Sequence, residues 1–77
     1  MAQIDLVDFH KILKERNSIK GKIKASYSVF TDGKDKYLQI DMYGGPERKR
    51  SKISQTLQFD RETAKRIIEI LKEEFNL

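Results

Sequence analysis

The chain has no cysteine, one histidine, one proline and four glycines in 77 residues. Without cysteine or an evident metal cluster, neither disulfides nor a metal can compensate for the small core that this length allows. The absence of thiols fits a reducing cytosol. The sole imidazole, His10, has no serine or carboxylate constellation at a recognisable spacing, so general-base catalysis is not expected. No apolar run is long enough for a signal segment or a membrane span, because Lys, Asp or Glu interrupts each cluster. Gly44 and Gly45 lack the lysine and hydroxyl that would follow in a phosphate loop. Asp32 and Asp35 flank a turn, where aspartate is common for backbone reasons. The expectation is a soluble, cytoplasmic protein that is not an enzyme and uses no cofactor and no metal. It reads as a single domain over residues 1–77, without repeat, linker or low-complexity tract. Self-association as a homodimer through an apolar surface would offset the limited core.

What the chain does have is clustered positive charge. The formal net charge is +4 and the sequence pI is near 9.4. Residues 20–52 hold nine basic residues against four acids, while residues 1–19 balance and residues 53–77 carry one excess acid. Such a distribution favours a polyanionic partner.

The periodicity predicts an α+β fold: an N-terminal helix, a three-stranded antiparallel meander, and a C-terminal helix packed on one sheet face. Leu6, Phe9 and Leu13, with Ile12 alongside, give an amphipathic pattern over 4–16. An extended start from Ile4 to Phe9 is the alternative. From 19 to 30 the period becomes two, with Ile23, Ala25, Tyr27 and Val29 on one side and Lys20, Lys22, Lys24, Ser26 and Ser28 on the other. Thr31, Asp32 and Gly33 make a turn. The next strand, 36–43, puts Leu38, Ile40 and Met42 inward and Tyr37, Gln39, Asp41 and Tyr43 outward. Gly44, Gly45 and Pro46 end it.

A third strand over 52–59 turns Ile53, Leu57 and Phe59 to the core. Gln55 falls among them by parity, so it lies at the sheet margin or bonds within the core. Asp60 is a good N-cap, and Glu62 suits the first turn of a helix running to about Phe75. Ala64, Ile67, Ile68, Leu71 and Phe75 line its stripe, and Ile70 widens it.

Alternation thus gathers lysines and tyrosines on one sheet face. The functional expectation is binding of nucleic acid, single-stranded DNA or RNA, with low sequence selectivity. Lys20, Lys22, Lys24, Arg48, Lys49, Arg50 and Lys52 would meet phosphates, and Tyr37 and Tyr43 would stack bases. Arg48 and Arg50 are capable of bidentate phosphate contacts. The plainer reading of the basic loop is a solvated surface, and strands often carry tyrosine for propensity alone. The competing function is a small protein-interaction module, an accessory subunit or inhibitor that docks on an acidic protein partner through a sheet edge or the helical stripe.

The run Tyr37 to Tyr43, the basic loop, Ser54 to Leu57 and the helix opened by Asp60 resemble the single-stranded DNA-binding coactivators of the positive cofactor four type. The resemblance covers residues 37–75. It implies a curved sheet followed by one helix, dimerisation through that helix, and single-strand binding by sheet and loop residues. Tyr43 would then match an aromatic at a strand end, and Lys49, Arg50 and Lys52 a basic approach to the last strand. That family usually has arginine where Asp41 stands, and four strands before the helix where three are read here. The order helix, three strands, helix is also similar to the double-stranded RNA-binding domain. The paired-lysine signature of that domain's last helix is missing from Arg61 to Arg66.

Overall fold

The computed structural model describes residues 1–44 and 53–77. The described residues form four strands and one α-helix: β1 (Ala2–Gln3), β2 (Lys24–Asp32), β3 (Asp35–Tyr43), β4 (Ile53–Asp60) and α1 (Arg61–Phe75). The strands lie in the order β1-β4-β3-β2. Neighbours β2, β3 and β4 are antiparallel, whereas β1 runs parallel to β4.

The sheet is therefore four-stranded and mixed, which corrects the three-stranded antiparallel meander expected from periodicity. The N-terminal helix is corrected as well. Ala2 and Gln3 pair with Leu57 and Gln58, and the Ile4 N–H donates to the Gln58 carbonyl at 2.9 Å. The chain start is thus held extended. The Asp5 carboxylate then accepts from the Val7 N–H at 3.1 Å and caps a single 3-10 turn, Leu6–Asp8, which Phe9 ends in β conformation. Residues 10–23 carry no helix or strand. A short isolated helix is marginal in water unless its apolar stripe is buried, and here Ile12 and Leu13 stay exposed.

A two-residue turn, Gly33-Lys34, joins β2 to β3, with Asp32 opposite Asp35. Gly33 has φ +70, a conformation that costs glycine little and L-residues much. The ladder ends where Lys24 meets Tyr43, the last residue of β3. Alternation alone had carried the strand back to Ile19. Between β3 and β4 the register slips at Met42/Tyr43, so that Gln55 opposes Met42 but Ile53 opposes Tyr43. Ser54 is the extra residue of this bulge, and its hydroxyl donates to the Met42 carbonyl at 3.1 Å. The slip aligns Ile53 with Tyr43 rather than with Leu57 and Phe59. Gln55 is exposed beside it, at the sheet margin.

Helix α1 begins at the Asp60 cap, whose carboxylate accepts from the Thr63 N–H at 3.0 Å, and ends at Asn76 in the left-handed conformation. It meets the sheet at β3 and β4. The N-terminal segment reaches its far end, where Lys11 pairs with Glu74 at 3.3 Å. Thr63 is fully buried, and no hydrophobic side chain among the described residues is. Among the described residues no helix is long and apolar enough to cross a membrane.

Candidate nucleic-acid interface

Residues directly opposite in a ladder share a face, so the register sorts the sheet into two surfaces. One carries Ala25, Tyr27 and Val29 on β2, Leu38, Ile40 and Met42 on β3, and Leu57 and Phe59 on β4. The other carries Lys24, Ser26, Ser28 and Phe30, then Tyr43, Asp41, Gln39 and Tyr37, then Thr56, Gln58 and Asp60. This second, polar surface is the candidate interface.

Two aromatic positions mark its ends. At one end the Tyr37 ring stacks on Phe30, with centroids 5.5 Å apart and planes 18° from parallel. At the other, the Lys24 ammonium lies 5.4 Å from the Tyr43 ring centroid, within cation–π range. The Tyr43 hydroxyl shares a 2.9 Å hydrogen bond with the Ser26 hydroxyl, which fixes the ring against β2. Tyr37 and Tyr43 stand six residues apart on β3, so the two platforms are roughly 20 Å from each other.

Between them runs a chain of polar side chains. The Gln58 amide donates to the Gln39 carbonyl oxygen at 2.8 Å, the Gln39 amide donates to both Asp41 oxygens at 3.0 and 3.2 Å, and the Thr56 hydroxyl donates to Asp41 at 2.7 Å. These half-buried groups satisfy one another across β3 and β4.

The residues expected at the site are distributed unevenly. Lys24, Tyr37 and Tyr43 come together on the polar face. Lys20 and Lys22 are exposed but lie in the segment before β2, outside the sheet. Arg48, Lys49, Arg50 and Lys52 lie outside the described residues. Comparison with family models, curated proteins and solved structures finds no match. The face must therefore be read from its own chemistry. Phe30 is the residue that sequence reasoning missed. Its parity, shared with Lys24, Ser26 and Ser28, was the available signal.

Beyond this face the protein exposes much apolar surface. Ile68 and Phe75 on the outer side of α1 are 52% and 66% exposed, and Tyr27 and Val29 on β2 are 73% and 51% exposed. The accessible area is 7173 Å² for a 9.1 kDa chain, where a compact monomer of that mass exposes roughly 4900 Å². Residues 10–23, all exposed, contribute to the excess, as do the exposed side chains of β2 and α1.

Proposed function

We propose that the protein is a non-catalytic binder of single-stranded nucleic acid with little sequence selectivity, and that it works as a homodimer. The observation that carries the reading is the polar sheet face, where two aromatic platforms and Lys24 share one surface. Bases stack on Tyr37 with Phe30 and on Tyr43, while lysines neutralise phosphate. Such a site is tolerant of sequence because every base has a π-face. The basic run Arg48, Lys49, Arg50 and Lys52 follows β3 in the sequence and supplies further phosphate contacts. Lys20 and Lys22, exposed in the segment before β2, add positive charge next to it in the sequence.

On this reading the protein resembles the positive cofactor four type coactivators in having four strands before one helix, and departs from them in the parallel pairing of the two-residue β1. The dimer is supported by the absence of any buried hydrophobic side chain among the described residues. The apolar side chains left exposed on β2 and α1, Tyr27, Val29, Ile68 and Phe75 among them, are surface that a second copy can cover. Work on nucleic acid in the cytoplasm accords with the absence of cysteine.

Titration of a labelled oligonucleotide at several salt concentrations tests the proposal. Affinity falls steeply with added salt, and neutralising Arg48 and Arg50 flattens the slope by about one unit per charge removed. Tyr37→Ala weakens binding on the order of tenfold or more and leaves the slope unchanged, because stacking releases no counterions. No binding at low salt would overturn the proposal.

A further inference from the structure

Strand β2 is an edge strand, and all nine of its residues are exposed. Natural edges are blunted by proline, bulges or inward charges. This one has none of them: Ala25 to Thr31 is uncharged and rich in Tyr, Val, Phe and Thr, and its pairing with β3 is unbroken from Lys24 to Asp32.

The two-residue turn makes Asp32 and Asp35 a hydrogen-bonded pair, so alternation sends the even-numbered backbone groups of β2 toward β3. The N–H and C=O groups of Ala25, Tyr27, Val29 and Thr31 consequently point to the free edge. We propose that the β2 strands of two copies pair antiparallel about a two-fold axis through Ser28, joining their sheets into one of eight strands. This deepens the dimer half of the reading above and is independent of the nucleic-acid half.

The occupant is a second copy because β2 is self-complementary in that register. Lys24 falls opposite Asp32 of the other chain, and the two-fold axis repeats the pair at the far end. Tyr27 falls opposite Val29, again twice, as an aromatic–β-branched pair on the apolar face. Ala25 meets Thr31, Ser26 meets Phe30, and Ser28 meets its own counterpart. Alternative axes lose these pairings. An axis through Val29 sets Lys24 against Lys34, and one through Tyr27 sets Lys24 against Phe30. An axis between two residues would join apolar to polar faces.

The test uses the absence of cysteine. In this register the two Ser28 residues form a non-hydrogen-bonded pair with Cα atoms roughly 4.5 Å apart, within disulfide range. Ser28→Cys is compared with Ser26→Cys, which is exposed on the same face but stands roughly 13 Å from its counterpart along the paired strands. Both are oxidised by a glutathione redox buffer and resolved on non-reducing gels, and the unmodified protein is sedimented in parallel. Ser28→Cys is expected to form covalent dimer at least about tenfold faster than Ser26→Cys. Lys24→Asp and Asp32→Lys each weaken self-association about tenfold and associate with one another when mixed, because the mixture restores opposite charges. Equal cross-linking rates in a protein that sediments as a dimer would overturn this interface and leave the dimer standing. Sedimentation as a monomer at all concentrations would overturn both, while oligonucleotide binding is decided separately by the salt titration.

Discussion

Asp60 links the last strand to the helix. Its carboxylate accepts the Thr63 N–H, and this bond to the charged form holds its pKa below the ordinary aspartate value. The Thr63 hydroxyl adds to the same field but is buried without a well-formed hydrogen bond. Because the folded-state pKa is lowered, the cap's contribution is fully present above the unfolded value of about 3.9 and is lost as pH falls through the folded value. Circular dichroism followed from neutral pH into acid is expected to show helix loss in that window. Asp60→Asn, which still caps but cannot titrate, should give a flatter profile there. A matching profile in the variant would assign the acid transition to other carboxylates. Residue-scale signals of this kind were legible in advance, as was the face of Tyr37 and Tyr43. The partners of those rings were not: Phe30 under Tyr37 and Ser26 on Tyr43 depend on cross-strand register, which the sequence of one strand does not contain.

Among the elements, β3 and α1 were readable because each has a clear period and a chemical boundary, Gly44 after one and the Asp60 cap before the other. The N-terminal segment was not. Leu6, Phe9 and Leu13 are spaced for a helix, yet the extended pairing of Ala2 and Gln3 with β4 and the Asp5 cap set a different course. Such tertiary competition is invisible to local pattern. Likewise β2 begins only where Tyr43 can face it, and the Ser54 bulge realigns Ile53, an irregularity that parity does not foresee. The hairpin offers its own test through Gly33, whose positive φ a Cβ would strain. Gly33→Val is expected to lower unfolding free energy by about 1–2 kcal/mol in denaturant melts, and Gly33→Asn by less. An unchanged midpoint for the valine variant would show that the turn can adopt another geometry.

At the scale of the molecule, the radius of gyration is 14.7 Å, where a compact domain of this length has roughly 11.5 Å. A monomer so open has little apolar burial to set against chain entropy. Stability is therefore expected to be bimolecular, with a melting temperature that rises as protein concentration increases. Calorimetry across a hundredfold concentration range checks this. A constant melting temperature would mean that folding needs no second chain, because a dimer that unfolds to two chains melts higher at higher concentration even when fully associated. Net charge was legible at this scale as a property of composition, whereas the lack of a buried apolar side chain among the described residues was not, because apolar residues that could fill a core are present and left uncovered.

The acid in the middle of β3 divides the polar surface. The Asp41 carboxylate lies between the Tyr37 and Tyr43 platforms and accepts hydrogen bonds from Gln39 and Thr56. A polyanion crossing that midpoint would meet repulsion. If the face binds single-stranded nucleic acid as proposed, the strand is expected to skirt the centre, with phosphates kept toward Lys24. Only uncharged base edges bearing amino groups would be welcome above the carboxylate, which makes the surface two lanes with a median between them.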